Sequence, residues 1–281
     1  RKVLLIFGAA ESFRFRNDVE VFDLQRQAFS AMSVRGDRPE PRWLHAAALL
    51  PEDDAILVCG GQGDLDSGIV WHLCLDPGEE LTGDWVSFVA PLHLSGHSLT
   101  RISDMLLVFG GRRLPLHNHA LQSATLRYNA SSVGFSVLPA DPAPPPRFCH
   151  ASCCVGAKLL IHGGWAPTGP QDWPSDAFLG DLWLLDPESL CWANIPTHGS
   201  PAPRCQASLW AKGDHAFLFG GAAHNLELQS PGVYGDVVND MDSLHVLNLT
   251  TGVWLPVEQH EYALRGGVLG MVVDDANDSV L

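Results

Sequence analysis

The sequence predicts an all-β fold assembled from repeated four-stranded antiparallel units, and three periodic features carry that prediction. Apolar runs ending in a pair of small residues occur at residues 3–9, 56–61, 106–111, 159–164 and 217–221. Their first small residues, Gly8, Gly60, Gly110, Gly163 and Gly220, are 52, 50, 53 and 57 positions apart. A second apolar segment in each unit ends at Asp23, Asp76, Asn129, Asp186 or Asn248, and an aromatic follows at Phe29, Trp85, Phe135, Trp192 or Trp254. Then, 11 to 13 residues on, Arg42, His97, Arg147, Arg204 or Arg265 opens a further apolar segment, usually behind prolines as in Pro41-Arg42 and Pro146-Arg147.

Each element has a physical reason. The segment opened by the basic residue (strand a) and the run ending in the small pair (strand b) are almost continuously apolar, as strands become when both faces are covered. The glycine pair ends strand b where the backbone must turn sharply or pass close to a neighbour with no Cβ in the way. Strand c ends at the Asp or Asn, and the aromatic of strand d fills space between units. A unit of this kind has two faces to bury and cannot do so alone, so units stack radially about an axis. In the first unit strands b, c and d are expected at residues 3–8, 19–23 and 29–34, with the same order in the next four units and minimal helix.

The strand ending in Gly-Gly, the Asp-ended strand, the aromatic strand and the Pro-Arg-x-x-His opening at Arg42–His45 and Arg147–His150 together resemble kelch repeats. Kelch repeats have a period of about 50 residues and build β-propellers. The resemblance covers all 281 residues as a single domain and implies an all-β, kelch-type β-propeller of four-stranded antiparallel blades. The first unit begins at its strand b, four units are complete, and a sixth starts at residues 265–273 and breaks off after a turn at 274–278. That count fits six blades; a five-bladed ring closed by residues 265–273 beside 3–8 would leave Ser279 to Leu281 unexplained. Two departures stand out: Gly8-Ala9 replaces one Gly-Gly pair, and His97 stands where other units carry Arg.

Composition limits what such a fold can bind. Against 17 Lys and Arg there are 32 Asp and Glu, a net charge of -15, so a phosphate-binding surface is not expected and neither nucleic acid nor anionic membrane is an expected partner. No apolar run reaches the 18 or so residues needed to span a bilayer, so no membrane insertion is expected. The seven cysteines lie mostly in apolar strand-like runs and read as reduced thiols, which points to a cytoplasmic location, with nucleus or organelle matrix as alternatives.

Strand alternation sends the b–c and d–a loops to one face and the a–b and c–d turns to the other. From the second small residue to the Asp or Asn of strand c there are 14, 15, 18, 22 and 27 residues in successive units, so the b–c loops lengthen along the sequence. Long loops on a rigid scaffold are where recognition sits. Trp165, Trp173 and Tyr234 in these loops are candidate aromatic anchors. Arg42, Arg147, Arg204 and Arg265 enter strand a from the same face. In kelch proteins that bind acidic peptides, arginines at the matching position contact ligand carboxylates, so the resemblance makes these four candidate partner contacts. The alternative is structural, each Arg bonding to the backbone or an Asp of its own blade.

Other polar residues carry blander readings. His45 and His150 suit hydrogen bonds within the blade, and His117 and His119 lack a nearby third ligand for a metal. Cys149 and Cys153 fall on one face with Cys154 opposite, so they form no shared site. Asp236, Asp240 and Asp242 lack the Gly and Glu of a calcium loop. No metal or cofactor is therefore expected. Some kelch propellers are copper radical oxidases or sugar isomerases, but here only Tyr128, Tyr234 and Tyr262 exist to build a radical centre, and the iron motif Glu-x-x-x-Asp-x-x-x-His is missing. With no nucleophile, acid–base pair or phosphate loop in evidence, the expected function is a non-enzymatic protein-interaction module of scaffold or substrate-adaptor type, its partner a protein and in particular an acidic peptide segment. The alternatives are an accessory domain of a larger enzyme or a structural part of a large assembly.

Overall fold

A computed structural model describes residues 2–6, 15–23, 25–50, 54–63, 68–76, 81–90, 92–113, 120–167, 177–224, 237–238, 243–257, 273–274 and 279–280. Among them every regular element is a β-strand. The first blade has strands Lys2–Ile6, Val19–Asp23 and Ala28–Ala31. The third, fourth and fifth are four-stranded and strictly sequential: Ser98–Ile102, Met105–Phe109, Thr125–Asn129 and Gly134–Leu138; then Ala151–Val155, Lys158–Trp165, Phe178–Asp186 and Cys191–Asn194; then Ser208–Lys212, His215–Phe219, Leu244–Asn248 and Val253–Val257. The second, Ala46–Leu50, Ala55–Cys59, Ile69–Asp76 and Thr82–Val89, carries Ser33–Arg35 as a fifth strand. The a strands of blades two to five pack against one another in series, which places them at the axis. Val273–Asp274 pairs antiparallel with Ser279–Val280; residues 275–278 of the turn expected there lie outside the described residues.

The strand expected at 29–34 is divided. Met32 interrupts it, donating its N–H to Val19 (2.9 Å) and burying its side chain between blades one and two. Beyond it, Ser33–Arg35 runs parallel to Thr82–Asp84 of the next blade, and exposed Arg35 bonds Asp84 and Asp76. A shorter version recurs where His198 bridges Val253 in parallel. The backbone thus leaves one blade by running along the outer strand of the following one.

The periodic Asp and Asn act as turn caps. The Oδ1 of Asp23, Asn129, Asp186 and Asn248 each accepts the backbone N–H groups two and three residues on, a local bond that ends strand c and starts the turn. The same turns contain left-handed residues at Gln27, Val133, Leu190 and Gly252, of which only one is a glycine.

The d-strand aromatics pack toward the preceding blade. Trp85 is buried with Val21 and Met32 of blade one, Trp192 lies 4.9 Å from the Phe109 ring of blade three, and Trp254 lies 5.6 Å from the His162 ring of blade four. Half-buried Phe135 packs against the core of blade two. Phe29 is the exception at 57% exposed, its ring 4.7 Å from that of Phe22 of its own blade, because no described blade lies on that side. Removing Trp192 to Ala should therefore cost about 3–5 kcal/mol by urea unfolding, whereas Phe29→Ala should cost under about 1 kcal/mol; similar losses at both sites would contradict the one-sided packing.

Buried imidazoles form a second interior series. Burial drives the pKa of His45 down to about 4 and those of His97, His150 and His162 down to about 3 from 6.5. Nδ1 of each is buried with no hydrogen-bond partner. Below pH 6.5 the unfolded polypeptide takes up protons that the folded one refuses, so stability is full above that pH and falls as pH drops toward 4, by up to about 1.4 kcal/mol per pH unit for each histidine. The urea midpoint should be flat from pH 7 to 8 and fall steadily from pH 6.5 to 4.5, less steeply in His150→Gln. A midpoint unchanged down to pH 5 would show that these rings accept protons in place.

Candidate functional site

The loop-bearing end of the axis is built by short ladders that extend strands a and b. Arg42–Trp43 pairs with Gln62–Gly63, Leu94–Ser95 with Arg112–Arg113, and Arg204–Cys205 with Ala222–Ala223, while Phe148 bridges Trp165. Two residues past Arg42, Leu94, Arg147 and Arg204 comes a left-handed residue: Leu44 (φ 54°), Gly96 (64°), Cys149 (53°) and Gln206 (57°). This register corrects one expectation from the sequence. Leu94, not His97, stands at the arginine position of the third blade; His97 matches His45 and His150, three residues further on.

Three of the four periodic arginines are described, and all repeat one geometry. Arg42, Arg147 and Arg204 donate from Nε to the carbonyl two residues back, Glu40 (3.0 Å), Pro145 (3.1 Å) and Ala202 (3.1 Å). From Nη1 they donate to the first glycine of their own blade, Gly60 (2.9 Å), Gly163 (3.0 Å) and Gly220 (2.9 Å). Arg147 adds a two-point contact to Asp181 (2.6 and 2.8 Å), and Arg204 adds Ser243 Oγ (3.0 Å). Arg147 is 0% exposed and Arg204 2%. Burial pushes the Asp181 carboxyl up, but the bonds and charge of Arg147 outweigh it and hold the group below the usual carboxylate range. Of the two roles left open by sequence, this is the geometry of the structural one: the guanidinium ties the approach to strand a to the glycine turn that launches the b–c loop.

The aromatic candidate Trp165 stands half-buried in a stack between Phe148 (5.4 Å, 21°) and Phe178 (5.6 Å, 32°). Trp173, Tyr234 and Arg265 lie outside the described residues, as do His117, His119, Asp236, Asp240 and Asp242. Among the described residues no group of three His, Cys, Asp or Glu side chains is placed to hold a metal. All seven cysteines are free, and burial pushes the thiols of Cys59, Cys149, Cys153 and Cys205 up, away from the reactive thiolate.

One residue at this end carries no periodic signal in the sequence because nothing repeats it. Arg112 follows Gly110-Gly111, where the other blades have Gln62, Trp165 and Ala222. It is 8% exposed, yet its Nε has no hydrogen-bond partner among the described residues, and its guanidinium carbon rests 5.1 Å over the Phe148 ring. Burial lowers its pKa. Ser95, directly across the ladder, also leaves its hydroxyl buried and unpaired, as the neighbouring Trp43–Gln62 pair leaves Trp43 Nε1 and Gln62 Oε1.

The two kinds of arginine should separate on mutation. Arg147→Ala should destabilise the fold by about 3 kcal/mol, because it strands the part-buried Asp181 carboxylate and two carbonyls. Arg147→Lys should restore less than half, since an ammonium cannot reproduce the fork. A urea-derived loss below about 0.5 kcal/mol for Arg147→Ala would remove the pinning role.

Comparison with known proteins agrees with this architecture. The family described as the KLHDC2/KLHL20/DRC7 kelch-repeats domain matches residues 1–221 and 86–275. Among curated proteins the chain is similar to Host cell factor of Drosophila melanogaster (28% identical over 186 residues, 60% of this chain and 12% of that one). It also resembles an F-box/kelch-repeat protein of Arabidopsis thaliana (27% over 232 residues, 78% and 45%) and Kelch domain-containing protein 3 of Bos taurus (26% over 261 residues, 84% and 63%). The chain thus spans less than two thirds of the length of each of these relatives. With three sequential four-stranded blades and a fourth that adds a fifth strand, repeated glycine turns and arginine pins, and a family match over nearly its whole length, this chain belongs to the kelch-repeat β-propeller family.

Proposed function

We propose that the protein is an interaction module, a kelch propeller of scaffold or substrate-adaptor type, that grips a partner segment on the face bearing the b–c and d–a loops. The observation that carries this reading is the contrast between repetition and variation at one end of the axis. Left-handed residues, glycine turns and arginine pins repeat from blade to blade, while the next residue outward changes to Gln62, Arg112, Trp165 and Ala222, of which Gln62 and Arg112 each bury a polar atom that has no hydrogen-bond partner among the described residues. Aromatic and Arg side chains dominate binding energy at interfaces. Trp165, Trp173 and Tyr234 are the proposed anchors, with Arg265 a proposed partner contact; Arg42, Arg147 and Arg204 serve the partner by fixing the loops, and an acidic segment is the proposed partner type. The relatives' names, F-box/kelch among them, support an interaction role rather than catalysis. Free, buried thiols fit a reducing compartment such as the cytoplasm. No helix among the described residues is long and apolar enough to cross a membrane.

The test compares partner capture by the wild-type protein, Trp165→Ala and Asp104→Lys, the last lying on the exposed a–b turn of the opposite face. Trp165→Ala should lose bound proteins that Asp104→Lys retains, with melting temperatures recorded to confirm folding. Equal capture by all three would place the partner elsewhere and overturn the reading.

A further inference from the structure

Strand d of each blade has its inner edge on strand c and its outer edge on the circumference. An open sheet edge presents unpaired backbone donors and acceptors, which native proteins cover, charge or shorten. Here the cover is the linker arriving from the preceding blade. Ser33–Arg35 runs parallel along Thr82–Asp84 of blade two. In blade four, Asp141 donates its N–H to the Leu190 carbonyl just before strand d (3.0 Å). In blade five, His198 donates to Gly252 and accepts from Trp254 (both 2.8 Å), again in parallel. Blade three receives no such cover among the described residues. The cause is in the sequence, since Pro139 precedes Arg147 and Pro196 precedes Arg204 by eight positions, whereas Pro91 precedes Leu94 by three. The linker into blade three is five residues shorter, and the lost residues are those that elsewhere lie along the next blade.

What stands open is Gly134–Leu138, a strand with no charged residue. Backbone groups alternate between the two edges of a strand. Phe135 pairs with Tyr128 as Trp254 pairs with Leu247, each next to the capping Asn. Because Trp254 N–H reaches outward to His198, the same alternation aims the N–H and C=O of Phe135 and Val137 outward, where no described residue bonds them. Val137 is 69% exposed.

We infer that the outer edge of blade three, Gly134–Leu138, is a strand-addition site that takes an extended, uncharged segment of a partner protein running parallel to it. The protein's own linkers set the direction, since Ser33–Arg35 and His198 both seat in parallel on equivalent strands. The charge follows from the same comparison. On blade two, Asp84 and Asp76 hold Arg35; on blade three Gly134 and Asn129 stand in those places, so nothing there selects a charged residue. In this mode main-chain hydrogen bonds supply the affinity. A second copy is the poorer occupant, because two identical edges related by a two-fold axis run antiparallel and each copy carries a charge of -15. The site lies on the circumference, away from the loop-bearing face, and does not rest on the function proposed for that face.

The experiment is an NMR titration of the deuterated, ¹⁵N-labelled 281-residue protein with the probe acetyl-Thr-Val-Ser-Val-Thr-amide, beside the same peptide N-methylated at every residue. The Phe135 and Val137 amide resonances should move saturably with the first peptide and stay in place with the second. At saturation their exchange with solvent should slow about tenfold, as for amides that become hydrogen-bonded. A nitroxide at the N-terminus of the peptide should broaden Gly134 more than Leu138, and one at its C-terminus the reverse. No saturable movement at Phe135 and Val137, movement confined to Ser87 and Val89 of blade two, or the opposite broadening pattern overturns the inference. Val137→Pro removes one outward donor where a sheet accepts proline, and it should weaken the peptide about fivefold; unchanged affinity also overturns it. Sedimentation without peptide should show a monomer, and a dimer that Val137→Pro dissolves would put a second copy on this edge in place of the partner.

Discussion

A line of backbone hydrogen bonds around the axis sets the rest of the structure. The carbonyl of Leu44 accepts from Gly96 N–H (2.9 Å), Gly96 from Cys149 (2.7 Å) and Cys149 from Gln206 (2.8 Å), one bond from each blade to the next. Each residue in the line is left-handed, which turns its N–H and C=O to opposite neighbours. That geometry costs roughly 1–2 kcal/mol at a residue with a Cβ, so three of the four positions hold it against local preference. The blades must approach closely for these bonds to form, and the glycine pairs permit it: a Cβ on Gly110 would sit 2.6 Å from the Arg147 carbonyl of the next blade, and one on Gly163 2.5 Å from that of Arg204. The second glycine adds its own cross-blade bond, Gly61 N–H to Leu94 and Gly111 N–H to Arg147, both 2.8 Å.

The arginine pins follow from the same constraint. A glycine turn with two left-handed residues is the most flexible point of a blade when unfolded, and it lies at the start of the loops that vary. Fixing its carbonyl with a buried guanidinium makes the turn part of the scaffold. The histidines at the next position fill the space over the preceding glycine, as His150 does over Gly110, and their depressed basicity is the result of being packing residues with ring nitrogens in a dry interior.

Much of this is legible in the sequence because repetition amplifies weak signals. A single Gly-Gly or Asp-to-aromatic spacing says little, yet five copies in order specify the blade, and the turn-capping Asp and Asn and the buried tryptophans fall where the period puts them. What stays hidden is conformation that side chains do not advertise. Leu44, Cys149 and Gln206 carry no mark of a left-handed backbone, and without that anchor the period sets the third blade out of register, with His97 in place of Leu94. Met32 likewise has nothing in its side chain to show that the backbone leaves one sheet there and runs along the next.

The site is less legible for the opposite reason. Function in a repeat protein is written where the repeat breaks, and a search for periodic residues finds scaffold first. Arg42, Arg147 and Arg204 are conspicuous because their blades need the same pin, and that need is why their donors are engaged. Arg112 has no counterpart in the other blades, so period gives it no weight; only the absence of an acceptor at its buried Nε sets it apart. The protein's charge of -15 sharpens the point. In a sequence with nearly twice as many acids as bases, the described residues supply a carboxylate partner for the buried Arg147 and none for Arg112. The scaffold holds its periodic arginines matched and places an unmatched one where the loops open.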